Sequence, residues 1–83
     1  MKILYFASLR QRTGTGEEDI SLPDGVRDVA GLIDWLKGRG PEYSDALADT
    51  SAIRVAVNQE FATLETALEG NEEVALFPPM TGG

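Results

Sequence analysis

Cysteine and histidine are both absent from the 83 residues. Their absence removes disulfides, thiol nucleophiles, Cys/His zinc sites and imidazole acid–base chemistry together. Ser8, Ser21, Ser44 and Ser51 have no histidine to act with, so a hydrolase triad is excluded. Basic residues are scarce, seven against fourteen acids, for a formal net charge of -7. Phosphate contacts need clustered Lys and Arg, so nucleic-acid binding is disfavoured. An acidic surface suits solubility, or docking on a basic partner. Long apolar runs are also missing, and nothing approaches the ~20 residues that span a bilayer. Met1-Lys2-Ile3 opens an apolar segment without signal-peptide layout, so the default expectation is a cytoplasmic, non-membrane protein.

Length sets a further bound. A single domain of this size buries only about 60–65% of the surface its unfolded chain exposes. Little room is left for a deep substrate cavity, and paired-carboxylate glycosidase chemistry has no cleft to occupy. Gly14 and Gly16 are not followed by Gly-Lys-Ser/Thr, so they make no phosphate loop. The runs Glu17-Glu18-Asp19 and Glu72-Glu73 lack the spacing of a calcium loop and read as a solvated acidic face. No metal site and no side-chain catalyst emerge.

What is present is a regular alternation of elements. Lys2 to Leu9 (KILYFASL) is apolar at nearly every position and reads as a buried central strand. Arg10 to Gly16 reads as a polar hairpin loop, and Glu17 to Leu22 as its weaker return strand. Pro23-Asp24-Gly25 is turn chemistry. Val29, Leu32, Ile33 and Leu36 then recur at helical spacing, with Asp28 placed to cap the helix. Gly38, Gly40 and Pro41 end it, and Trp35 falls on the flank of the stripe, covering the edge of the core. Pro41 to Ser51 reads as a connection with a helical turn around Ser44 to Ala48. Ala52 to Val57 is a second strong strand, Asn58-Gln59-Glu60 a turn, and Phe61 to Leu64 a short strand. Gly70-Asn71 marks another turn before the last strand, Glu73 to Phe77.

The order β-β-α-β-β-β requires one main helix on one face of a mixed four- or five-stranded sheet. The two most apolar strands, first and last, are expected to pair in parallel at its centre. That is an α+β arrangement, the β-grasp or ubiquitin-like architecture, over residues 1–77. Residues 78–83 form an extended C-terminal arm, Pro78-Pro79-Met80-Thr81-Gly82-Gly83. Two prolines stiffen its base and two glycines leave its tip without side chains. Such an arm can thread a narrow channel and present the Gly83 carboxylate to another enzyme. With ATP that enzyme could convert the carboxylate to an acyl-adenylate, and a sulfur nucleophile could displace AMP to leave a thiocarboxylate.

The segments Ile3-Leu4-Tyr5-Phe6-Ala7 with Arg10, Ala56-Val57-Asn58-Gln59, and Glu73 through Phe77-Pro78-Pro79 to Gly83 resemble the small subunit of molybdopterin synthase, the MoaD family of β-grasp sulfur carriers. The likeness spans essentially the whole chain. It implies activation of Gly83 by an E1-like adenylyltransferase using ATP with Mg, and charging from a sulfur donor protein. It implies delivery of sulfur inside the large synthase subunit, within a heterotetramer, to build the dithiolene of the pterin. The chain would be the non-catalytic sulfur-donor subunit and bind no cofactor itself. By matching position, Phe61 and Phe77 fall where the family meets the large subunit, with core packing as the other reading of each. Arg10 matches a recurrent family arginine, a partner salt bridge or a solvated loop residue. The family often has Asp-Gly-Asp where this chain has Gly70-Asn71-Glu72. Carriers for thiamine, cysteine or tRNA thiolation share the chemistry at Gly83, as does a ubiquitin-like modifier joined to lysines. An interaction module with an inert tail is the remaining alternative.

Overall fold

The computed structural model describes residues 1–79. Five strands form one mixed sheet in the order β2-β1-β5-β3-β4. β1 is Lys2–Tyr5, β2 Glu17–Asp19, β3 Arg54–Val57, β4 Glu60–Ala62 and β5 Glu73–Phe77. β1 and β5 pair in parallel at the centre, as the apolarity of both segments requires. The remaining pairings, β1 with β2, β3 with β5 and β3 with β4, are antiparallel. The mixed sheet with one main helix is the β-grasp arrangement.

Strand periodicity divides the sheet into two faces. Ile3, Tyr5, Val55, Val74 and Leu76 point inward and are buried. Against them lies α2, Val29–Lys37, whose Val29, Leu32, Ile33 and Leu36 are all sealed from water. Asp28 caps this helix as its position predicts, its carboxylate accepting the Gly31 N–H at 2.8 Å. The Val29 and Ala30 N–H groups donate to the carbonyls of Thr66 and Leu64, at 3.1 and 2.9 Å. No N–H of that first turn is left wanting.

Besides β2, which ends at Asp19 and not at Leu22, three boundaries differ from the sequence reading. The apolar run from Lys2 to Leu9 is not one strand. β1 stops at Tyr5, and Ala7–Thr13 forms a helix, α1, where strand and loop were expected. The Phe6 N–H makes a last bond to the Leu76 carbonyl at 3.1 Å, and Ala7 at φ 52° then turns the chain out of the sheet. Leu9 and Thr13, four residues apart, are buried as one helical stripe. Gly14, at φ 79°, closes the helix with its N–H on the Arg10 carbonyl.

The second difference lies after α2. Pro41 does not only end one helix; it starts another, α3, Pro41–Ala46, at the position where a missing N–H costs nothing. A 3-10 turn, Thr50–Ala52, capped by Asp49, takes up the next residues, so β3 begins at Arg54 instead of Ala52. Third, the β3–β4 turn is tighter than expected. Asn58 and Gln59, at φ 52° and 69°, form a two-residue reversal, and Glu60 already belongs to β4.

The acidic runs are not simply a solvated face. Glu18 turns inward from β2, its side chain only 17% exposed, and forms a salt bridge with Arg39. It also accepts the hydroxyls of Tyr5 at 2.8 Å and Tyr43 at 3.4 Å. Burial pushes the Tyr5 phenol far above its ordinary range, and the bond to Glu18 and its charge push it further, so Tyr5 remains a donor. Arg39 lies over the rings of Trp35 and Tyr43, 5.2 and 5.0 Å from their centroids. Glu72 is likewise buried. Its carboxylate accepts the N–H groups of Glu69 and Gly70 at 2.7 and 2.8 Å, anchoring the turn that leads into β5.

Candidate functional site

The C-terminal arm leaves the sheet at the end of its central strand. Along β5, Val74 and Leu76 are buried while Glu73, Ala75 and Phe77 are half-buried on the opposite face. Cross-strand register continues that outer face through its neighbours. Ala75 lies beside Leu4 on β1 and Ala56 on β3, and Ala56 lies beside Phe61 on β4. The result is an apolar row across four strands. Phe77 sits one step nearer the arm, opposite Arg54.

Phe61 stands 87% exposed, which excludes the core-packing reading for it. Its ring lies 6.2 Å from that of Phe77, tilted by 54°. Contact with Phe77 recovers part of the apolar area, but most of the ring faces water. Leaving a phenylalanine out of a core forgoes roughly 1.5–3 kcal/mol of burial. Phe77 is half-buried, so part of its surface remains available.

Phe6 is 47% exposed and was missed as a candidate. The uniform apolarity of Lys2 to Leu9 hid it. Strict alternation would have revealed it, since Ile3 and Tyr5 face the core and Leu4 and Phe6 must then face away. Arg10 is exposed on α1, not in a loop as expected, and its side chain lies against Gly16. A Cβ at Gly16 would meet the Arg10 Nε at 3.0 Å. Arg10 borders an open groove shared with Leu4, Phe6 and Glu17, at the β1 edge of the apolar row. Among the described residues it forms no salt bridge.

At the base of the arm, the β3–β5 ladder ends on the pair Arg54 and Phe77. Pro78 and Pro79 follow, and neither can donate to a ladder. They border an open groove of about 390 Å³ together with Leu9, Ile53, Arg12 and the carboxylates of Asp45 and Asp49. Met80, Thr81, Gly82 and Gly83, to which the sequence assigns the tip chemistry, lie outside the described residues.

The arrangement therefore offers an aromatic platform beside the root of a C-terminal arm. It defines a ubiquitin-like β-grasp protein. The family model described as the ThiS family matches residues 3–83, and the chain belongs to that family. It is 32% identical over 83 residues to the molybdopterin synthase sulfur carrier subunit of Haemophilus influenzae, an alignment covering 100% of this chain and 99% of the relative. Among solved structures it resembles SAMP1 of Haloferax volcanii, with a TM-score of 0.76 and 30% identity over 100% of this chain and 98% of the other. It also resembles a putative molybdopterin converting factor, subunit 1, from Pyrococcus furiosus, with a TM-score of 0.74 and 32% identity over 95% of each.

Proposed function

We propose that this chain is the sulfur carrier subunit of a molybdopterin synthase. The observation that carries the reading is the aromatic group of exposed Phe6 and Phe61 with half-buried Phe77, at the root of a Pro-Pro arm whose sequence ends in Gly-Gly. Full-length likeness to a chain named as that subunit supports it. A carrier needs two things from its globule. One is a docking surface that tolerates water when unpartnered. The other is a terminus that can enter another protein's active site. Six residues follow Phe77, and six peptide units reach at most about 20 Å.

In this reading the Gly83 carboxylate attacks the α-phosphorus of ATP, held with Mg by an E1-like adenylyltransferase, and pyrophosphate leaves. The terminal sulfur of a persulfide on a donor protein then attacks the acyl carbon and AMP departs with the bonding pair. A thiol next attacks the donor-side sulfur of the resulting acyl disulfide, so that a disulfide forms and Gly83 is released as a thiocarboxylate. Gly82 and Gly83 pass the narrow part of the channel, while Thr81, Met80, Pro79 and Pro78 set the depth of entry. The large synthase subunit receives the charged tail, and two carriers supply the two sulfurs of one dithiolene. Phe61 and Phe77 contact that subunit, with Phe6 beside them, and Arg10 forms a salt bridge at the rim. Aromatic side chains on an open sheet face are the anchors expected of such an interface.

The test is direct. The purified chain, incubated with an activating enzyme proven on its own carrier, ATP and a sulfur donor, should gain the mass of one oxygen replaced by sulfur. Deleting Gly83 should abolish that gain while leaving the melting temperature almost unchanged. An unaltered mass for the native chain would refute the proposal. Similarity to an archaeal protein titled SAMP1, a small archaeal modifier protein, keeps a second reading in view. Covalent adducts between Gly83 and lysines of other proteins, in cell lysate, would favour it.

A further inference from the structure

We infer that Arg54 is a specificity-determining docking residue, fitted to a partner that presents a carboxylate beside the mouth of the channel the C-terminal arm enters. The inference rests on the carrier reading above and adds to it the charge of the partner's rim.

Arg54 occupies the first position of β3 and is exposed on the outer face. Its cross-strand neighbour is Phe77, the last strand residue before the arm. Ala56, two residues on and therefore on the same face, lies beside Phe61. Arg54 thus sits at the arm end of the aromatic row. Its Nη1 donates to the Ser51 carbonyl at 3.3 Å, which holds the guanidinium toward that end without neutralising it. Among the described residues the salt bridges are Met1 with Asp19, Lys2 with Glu17 and Arg39 with Glu18, so Arg54 has no carboxylate partner.

Charge on this face is divided along the strands. Asp19, Lys2 and Glu73 share the row farthest from the arm, and Glu17, paired with Lys2, stands beside Leu4 at the β2 end of the apolar row. Among the described residues, no carboxylate is paired in register with Phe77 or Arg54. In a chain of net charge -7, Arg54 puts a cation beside Phe77 on the outer face, while Asp45 and Asp49 stand with Arg12 in the groove next to Pro78 and Pro79. The overall acidity, which suits docking on a basic partner, does not extend to the Phe77–Arg54 pair of this face.

A cation can also serve to block edge-to-edge strand association, but that role belongs on an edge strand. β3 lies inside the sheet, between β5 and β4, so Arg54 guards no edge. Solvation alone does not explain the placement either, because any polar side chain would meet it. A guanidinium beside exposed aromatic rings is suited to bidentate pairing with a carboxylate while its apolar stem packs on the rings. Such a pair at an interface rim would steer association and reject partners lacking the acid.

The experiment measures association of the full-length chain with the large subunit of molybdopterin synthase from the same source, at 0.1 M and 1 M salt. The screening length falls between these from about 10 Å to about 3 Å. Arg54→Glu should weaken binding about tenfold or more at low salt, mainly by slower association, and by less than about twofold at high salt. Arg54→Lys should retain part of the affinity. Arg27→Glu, the same charge change at an exposed residue in the turn leading to α2, should leave binding within about twofold of native. Native affinity in Arg54→Glu, or a loss that salt does not alter, would overturn the assignment and leave the carrier reading standing. If the native chain neither binds the subunit nor gains sulfur, the carrier reading fails and this inference fails with it.

Discussion

The two faces of the sheet differ in what their side chains have been given to do. On the inner face Ile3, Tyr5, Val74 and Leu76 are at most 1% exposed and meet the stripe of α2. On the outer face Phe6, the residue that follows β1, is 47% exposed, and Phe61 on the edge strand β4 is 87% exposed. Both faces are rich in large apolar groups, and only one has been covered. The inner face holds the domain together. The outer face forgoes comparable burial within the monomer, which makes sense where the missing cover is a second protein.

The sharpest way to break this contrast is to truncate each face in turn. Leu32 is fully buried where α2 meets the sheet, and Leu32→Ala should cost about 2–5 kcal/mol of folding stability, measured by denaturant unfolding. In a domain of this size that is a large share of the total. Phe61→Asp should leave stability within about 0.5 kcal/mol of native. Binding to the large synthase subunit should fall by about 2 kcal/mol, or roughly thirtyfold, as expected for an aromatic anchor. If Phe61→Asp unfolded the domain instead, the outer face would have to be counted as core and the division between the faces would collapse.

How much of this was legible in the sequence depends on whether local signals were strong enough to stand without tertiary context. The α2 stripe was, because Val29, Leu32, Ile33 and Leu36 fit a helix with Asp28 as its cap. β5 was, because Glu73 to Phe77 is bounded by a turn on one side and prolines on the other. The α1 helix was not, since Leu9 extends an apolar run that reads equally well as strand. Only Gly14, with arginines in the turn before it, marked a helix end there. Arg54 escaped notice because it lay inside an apparent strand. Its relation to Phe77 is a matter of register, which a linear reading cannot supply. Glu18 and Glu72 were read as solvated because an acid's burial depends on donors brought from elsewhere, here Tyr5 and Tyr43 for one and a tight turn for the other.

Glu72 permits the finest test of which side of the contrast a polar group belongs to. It stands at the entrance to β5, at the opposite end of the strand from the arm, and is 7% exposed. Burial by itself would raise its carboxyl. Backbone N–H groups from Glu69 to Glu72 outweigh that and hold it below the usual carboxylate range. The folded state therefore favours the ionised form. The stability this contributes is fully present above the unfolded value of 4.5 and is lost as pH falls through the lower folded value. Glu72→Gln removes the charge and turns an amide donor toward N–H groups, so it should cost roughly 1–3 kcal/mol at pH 7. The gap between native and variant should close as the native carboxylate protonates, as followed by urea unfolding from pH 7 to pH 3. Docking through Phe61 should be unaffected at pH 7, because Glu72 serves the packed side. A gap that held constant to pH 3 would assign the cost to side-chain shape and not to charge. A loss of docking with stability intact would move Glu72 from the packed face to the functional one.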